Sequence, residues 1–308
     1  MPAQNRVART ADVAVIVSAS RASNRNTMMP LFVMPFPAID PVALNLGPIS
    51  IKWYGLAYMA GLLLGWLYIR QLLARTRLWR ENKPPMQPLQ TDDLLIWTAL
   101  GVVIGGRLGY VLFYKPVFFA QHPFEIFMPW KGGMAFHGGL IGTTLAIWWV
   151  ARGAKANPLS LMDLVAAAAP IGLFFGRIAN FINAELWGRA ATVPWAMVFP
   201  DREAGGVARH PSQLYESFFE GFVLFLIIRV LIYRHNALAT PGRVTGIFLI
   251  GYALARMFCE AFRENMHPEI SIGPITAGQL YSIPMVLLGL VFLNWAWISN
   301  RFDRASRA

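Results

Sequence analysis

Seven stretches of this chain are long and apolar enough to cross about 30 Å of hydrocarbon, which takes roughly 17 to 25 residues in a helix. They are residues 53–73, 94–114, 133–151, 161–182, 213–233, 244–263 and 277–297. That constraint predicts an all-α integral membrane protein of about seven transmembrane helices. The overall balance agrees: 56% of the 308 residues are hydrophobic and 14% are charged, too apolar for an ordinary soluble domain. Between the stretches lie Pro-, Arg- and Asn-rich loops such as 80–85 and 234–236. The longest excursion, 186–212, carries Pro194, Pro200, Gly205, Gly206 and Pro211 and predicts a small external, periplasmic cap. No internal repeat and no second soluble domain is visible.

Basic residues set the orientation, because Lys and Arg near span ends stay on the cytoplasmic side. One set of connections holds Arg70, Arg75, Arg77, Arg80, Lys83, Arg152, Lys155, Arg229, Arg234, Arg243, Arg301, Arg304 and Arg307; the other holds Lys115, Lys131, Arg189, Arg202, Arg209 and Arg263. The C-terminus, with the tail 301–308, is therefore expected in the cytoplasm and the cap outside. Much of the formal charge of +11 is a topology signal. It does not suggest nucleic-acid binding, since no basic stripe with interleaved aromatics falls on a soluble module. Residues 1–40 disagree, with Arg6, Arg9, Arg21 and Arg25 on the wrong side. They read as an extension outside the catalytic domain at 41–300: a disordered tail, a start codon placed upstream of Met28, Met29 or Met34, or, less well, a weak signal-like leader.

Metal chemistry finds no support. The single cysteine, Cys259, excludes a disulfide framework, and His122, His137, His210, His235 and His267 show no metal-ligand spacing. What remains is a set of charges inside the spans, where an arginine at mid-helix costs about 2.5 to 3.5 kcal/mol on insertion scales. With the orientation above, Arg107, His137, Arg177, Glu216, Glu220, Arg256 and Glu260 all fall in the external leaflet. The convergence predicts a polar cavity fed by five spans, with a snorkelling collar as the bland alternative. At helical spacing Asn180 lies near Arg177, Glu185 returns to that side, and Arg256 and Glu260 stand one turn apart. Glu216 and Glu220 cannot neutralise each other and require cations from another span, Arg107 or an arginine of the site, or else one of them stays protonated. The glycines of 132–139 around His137 allow close approach of a helix or a substrate, and a neutral imidazole beside cations suits a general base.

Several guanidinium groups in one leaflet suit a phosphate, which their planar fork binds bidentately. In the outer leaflet the abundant phosphate is a phospholipid head group. A base beside it points to transfer of a lipid-borne group; a phospholipid or organic-anion transporter is the rival class, disfavoured by the missing repeat. An intramembrane serine protease is disfavoured too, since no Gly-x-Ser-x-Gly element occurs.

The run Gly176-Arg177-Ile-Ala-Asn180-Phe-Ile-Asn183-Ala-Glu185-Leu-Trp-Gly188 resembles the signature of the bacterial prolipoprotein diacylglyceryl transferases. Further blocks agree in order: Trp53-Tyr54-Gly55, Gly105-Gly106-Arg107-Leu-Gly109-Tyr110, Phe136-His137-Gly138-Gly139, His210-Pro211-Ser212-Gln213-Leu-Tyr215-Glu216, and Tyr252, Arg256, Glu260, Phe262 and Arg263. The likeness covers roughly 40 to 300. It implies an inner-membrane enzyme that moves the sn-1,2-diacylglyceryl group of phosphatidylglycerol to the thiol of a prolipoprotein lipobox cysteine. Glycerol 1-phosphate is released, with no metal or nucleotide cofactor. By resemblance, Arg177 contacts the lipid phosphate, and His137 and Arg256 are catalytic positions. Tyr54, Arg107, Asn180, Glu185, Gly188, Tyr252 and Glu260 complete the lipid site. A thiol ionises near pH 8.5, so His137, directly or through a water, is expected to take its proton. Arg177 and Arg256 are expected to stabilise the departing phosphate.

Overall fold

The computed structural model describes residues 34–37, 39–47, 49–265, 270–273 and 275–295. Residues 1–33, His267, the end of the 277–297 stretch and the expected tail 301–308 lie outside the described residues. Helices occupy the apolar stretches: α1 (Trp53–Ala74), α2 (Thr91–Phe113), α4 (Phe136–Gly153), α5 (Pro158–Ile182), α8 (Arg243–Glu260) and α9 (Ala277–Leu293), with a short α3 (Pro116–Gln121) in the connection after α2. The stretch at 213–233 is a composite: α6 (Ser212–Glu216), a π-helical stretch Ser217–Val223 and α7 (Leu224–His235). Among the described residues, Trp53–Ala74, Pro88–Phe113 and Pro158–Ile182 combine the length and hydropathy needed to cross a membrane, and Ala277–Leu293 is a shorter apolar helix.

Helix ends differ from expectation where polar side chains fix them. Helix α5 begins at Pro158 because the Asn157 side chain accepts the Leu159 N–H at 2.9 Å and proline suits the first turn. Asp163, fully buried in α5, accepts the N–H of Gly242 at 2.8 Å and both the N–H and hydroxyl of Thr245 at 2.7 Å. A carboxylate from one helix thus satisfies the free amides that open α8. Below the polar centre, Leu72, Leu73, Leu161, Leu164, Ile228, Ile232 and Val244 form the main apolar core.

An all-α reading needs amending outside the helices. A hairpin pairs β2 (Val42–Leu46) with β3 (Ile49–Lys52) across a turn in which Gly47 has φ +62. The excursion after α5 folds as a small cap whose strands β4 (Met197–Val198) and β5 (Ala208–Arg209) join β1 (Met34–Pro35). The N–H of Met34 donates to the Ala196 carbonyl at 3.1 Å, and Phe36 packs 5.2 and 5.3 Å from Phe181 and Phe199. Met34–Pro35, in the expected N-terminal extension, thus pair with a strand of that excursion.

The closest helix pair is α2 with α4. Gly101, Gly105 and Gly109 face Gly138 and Gly142 so tightly that a Cβ at Gly101 would stand 2.5 Å from the Gly142 carbonyl oxygen, and one at Gly109 2.8 Å from Gly138 Cα. Backbone meets backbone there, so no flexible side chain is available to yield. Gly142→Val is expected to destabilise the protein by about 3 kcal/mol, the upper range for overpacking. Gly153→Ala, where an added Cβ meets open space, stays within about 0.5 kcal/mol of the parent. Thermal unfolding of the two purified variants in one detergent checks both.

Candidate active site

Three arginines and three glutamates meet where α5, α6 and α8 end. Arg177 lies in the last two turns of α5, Glu216 closes α6, and Glu220 follows in the π-helical stretch, a wider turn with i→i+5 bonds. Gly221 lets that stretch lie directly against α5, since a Cβ there would stand 2.7 Å from Phe174 Cα. Arg256 and Glu260 are one turn apart on α8, and Arg263 follows in the turn beyond it.

Glu216 is shared by all three cations. Its Oε2 lies 2.8 Å from Arg177 Nε, and its Oε1 accepts from Arg256 Nη1 at 3.1 Å and Arg263 Nη1 at 2.6 Å. Glu220 sits 3.4 Å from Arg177 Nη2 and 3.8 Å from Arg256 Nη1, while Glu260 pairs with Arg256 Nη2 at 2.8 Å and Arg263 Nε at 3.7 Å. The six formal charges sum to zero. Glu216 and Glu220 have no accessible surface, whereas the three arginine side chains keep 12 to 18%. The acids are the more deeply buried members, and the guanidinium groups keep most of the exposure that the cluster has. The contact of Arg177 Nε with Glu216 Oε2 lacks hydrogen-bond alignment and holds by charge alone.

Around this centre, Asn180 Nδ2 donates to Glu185 Oε1 at 2.6 Å, and Gln213 Nε2 donates to the Glu185 carbonyl at 2.6 Å. Tyr54 lies within reach of Asn180 and Glu185 and shares a 3.1 Å hydrogen bond with Tyr58. Tyr252 stands beside Arg177 and Arg256. Gly188 contributes backbone: its N–H donates to the His210 carbonyl at 2.9 Å, it bridges to Arg263, and a Cβ would stand 2.7 Å from the His210 oxygen. With Arg189 Nε donating to the Arg263 carbonyl at 2.7 Å, the cap holds Arg263 in place.

Five of the seven charges expected to converge do so; Arg107 and His137 do not join them. Arg107 donates from Nε to the Ile126 carbonyl at 3.0 Å, from Nη1 to those of Gly132 and Gly133 at 2.5 and 3.2 Å, and from Nη2 to that of Glu125 at 2.5 Å. Its guanidinium also stacks on Phe119 at 5.0 Å. Its donors are taken up by the connection between α2 and α4, so it neither neutralises Glu216 nor joins the cluster. His137 is exposed at the start of α4, its ring 6.4 Å from that of Tyr281 on α9. The glycines around it serve the approach of α2. Arg263 is the cation that sequence reasoning missed, by counting it among loop charges. Its signal was the seven-residue spacing from Arg256, which returns to the same helix face.

In the cap, Tyr215 links Trp195 and His210: Trp195 Nε1 donates to its hydroxyl at 2.6 Å, and His210 Nδ1 lies 3.1 Å from it. The His210 ring also packs 5.2 Å from Phe262. Partial burial pushes the imidazole below its ordinary value of 6.5.

Fold and site together define a helical membrane protein with a charge-neutral arginine–glutamate centre beneath a small cap. Within that class, the chain belongs to the prolipoprotein diacylglyceryl transferase family, whose model matches residues 41–295. It is 52% identical over 276 residues to the phosphatidylglycerol–prolipoprotein diacylglyceryl transferase of Agrobacterium fabrum, covering 88% of this chain and 95% of that one. The protein of the same name from Rhizobium meliloti is 53% identical over 266 residues, 84% and 93% of the two chains. That of Beijerinckia indica is 56% identical over 270 residues, 85% and 95%.

Glu216→Ala leaves three guanidinium groups short of one buried carboxylate and is expected to destabilise the protein by about 3 to 5 kcal/mol, read as a lowered midpoint of thermal unfolding. His210 sets a pH dependence. Its folded-state value lies below the unfolded one, so its contribution is complete above pH 6.5 and is lost as pH falls from there through the folded value. The unfolding midpoint should drop over that window by less in His210→Gln than in the parent.

Proposed function

We propose that this chain transfers the sn-1,2-diacylglyceryl group of phosphatidylglycerol to the thiol of a prolipoprotein lipobox cysteine, with Arg177, Arg256 and Arg263 receiving the lipid phosphate. The observation that carries the site assignment is the arrangement of the centre: three guanidinium groups fixed on buried carboxylates and keeping the accessible surface that Glu216 and Glu220 lack. Donors held in place before the reaction act most strongly where charge develops, here on the departing phosphate. The thiol sulfur bonds to glycerol C3, the C3–O bond to phosphate breaks, and glycerol 1-phosphate leaves with the electron pair. No cofactor enters that balance.

The thiol proton goes to His137, directly or through a water. Displacement at a saturated carbon requires the nucleophile to approach opposite the leaving group, so a base standing apart from the phosphate-binding arginines fits an in-line reaction. Asn180, Glu185, Tyr54, Tyr252 and Glu260 orient the head group or the arginines; Gly188 acts through the backbone seat of Arg263. Arg107 acts on the external connection instead. We place seven spans in the bacterial cytoplasmic membrane, with cap and centre toward the periplasmic leaflet and the C-terminus in the cytoplasm. The excess of Arg and Lys at the far ends of the helices supports that orientation.

Purified protein with phosphatidylglycerol vesicles and a lipobox peptide should release glycerol phosphate only when the peptide cysteine is present. Release with a Cys→Ser peptide would reject the transfer. Arg177→Lys, which keeps charge and loses the fork, is expected to lower kcat by about a hundredfold. His137→Gln should lower it by a similar factor of about 10²; an undiminished rate with unchanged pH dependence would remove His137 as the base.

A further inference from the structure

The ends of α1 and α7 remote from the arginine–glutamate centre carry a second group of arginines that nothing in the transfer reaction uses. Arg75, which terminates α1, stacks over the Tyr233 ring of α7 with its guanidinium carbon 5.0 Å from the centroid. Arg229, one turn before Tyr233, approaches the same ring at 4.7 Å and the Tyr68 ring of α1 at 5.9 Å. Arg229 lies thirteen residues beyond Glu216 on one helical run, about 20 Å away at 1.5 Å per residue.

Three features set this group apart. First, two cations converge on one aromatic ring, within about 10 Å of each other, and neither pairs with a carboxylate among the described residues, Arg229 meeting only the Tyr68 hydroxyl besides the rings. The acids at that end are committed elsewhere or face solvent: Asp92 accepts from Trp66 at 2.7 Å, Asp163 caps α8, Glu81 pairs with Arg80 and Lys83, and Asp93 is exposed. Second, the Tyr233 hydroxyl is buried without a hydrogen-bond partner, and the Tyr68 hydroxyl, in a residue only 6% accessible, meets the Arg229 guanidinium but has no acceptor for its own proton. Buried hydroxyls are ordinarily paired, and an orphaned one marks a place where a polar ligand atom belongs. Third, the flank is apolar and open: Leu67, Leu226, Ile227 and Val230 are each 42 to 50% accessible.

Simple snorkelling does not produce this arrangement. At the same end Arg70 lies over Trp66 at 5.3 Å and Arg152 over Trp148 at 5.5 Å, one cation to one ring, with no orphaned hydroxyl nearby. A guanidinium stacked on an aromatic face keeps its in-plane N–H donors free, and two such forks with two phenol donors match the acceptor oxygens of a phosphate.

We propose that Tyr68, Arg75, Arg229 and Tyr233 form a second anion site, separate from the arginine–glutamate centre, that holds the phosphate of an anionic phospholipid. The centre at the other end is neutral before any substrate binds; this group carries two positive charges with no counter-charge, and the lipid supplies it. The exposed aliphatic flank lies where acyl chains would run, and a free phosphate has no use for it.

The test uses the full chain in phosphatidylcholine nanodiscs containing dioleoyl phosphatidic acid with a photoactivatable head group, the label being mapped by peptide mass spectrometry. Saturable labelling of segments 64–75 and 226–235 is expected. Arg75→Gln with Arg229→Gln should raise the half-saturating lipid fraction by about tenfold or more, the loss of one or two charge-assisted hydrogen bonds. Tyr68→Phe with Tyr233→Phe keeps both rings and their packing, and should raise it several-fold; this pair decides the matter if the arginine pair does not fold. Labelling undiminished in the tyrosine pair, or equal labelling by a phosphatidylcholine carrying the same photoactivatable group, would overturn the site. Displacement by inorganic phosphate as effective as by unlabelled phosphatidic acid would overturn the lipid assignment in favour of a free phosphate.

Discussion

Glu216 presents two oxygens to three guanidinium groups in a place without accessible surface, and the upper half of the protein is arranged around that sharing. Arg177 brings α5 to it, Arg256 brings α8, and Arg263 brings the turn beyond α8 together with the cap strands that hold its backbone. A buried ion pair is a poor source of net stability, because desolvation cancels much of the attraction, but it tolerates few geometries. Here that intolerance is useful. The same contacts that fix three helix ends also fix the direction in which three cations point.

Much of this was legible in the sequence because bilayer thickness imposes a length. The six apolar stretches up to residue 263 coincide with helical runs to within a few residues, and the buried charges stand out against them. The misses share a cause, which is that they are settled through space. Arg107 and Arg256 look alike in sequence, each a cation near the outer end of a span. Only the packed structure shows one committed to the carbonyls of Glu125, Ile126, Gly132 and Gly133 and the other to Glu216 and Glu260. In the sequence Asp163 carries no signal of its partners, because Gly242 and Thr245 lie some eighty residues on and reach it only through the fold. The pairing of Met34–Pro35 with Met197–Val198 involves two residues a side, too few for any period to register.

The two halves of the helix set differ in what holds them. Around α5, α6 and α8 the contacts are electrostatic and directional, whereas α2 and α4 meet through bare backbone with Arg107 fastening the connection between them. His137 belongs to the second half and the clustered arginines to the first. A lipid lying between them would meet charge on one side and an imidazole on the other.

The glycine seam between α2 and α4 also limits how this sequence can drift. In an ordinary core, a side chain that grows on one helix is accommodated by one that shrinks on the next, so paired substitutions keep the volume constant. At Gly105 and Gly138 both partners have already been reduced to hydrogen, and what each faces is the other's main chain. No second-site change can restore the space that a first one takes. The seam is open to reversion but closed to compensation.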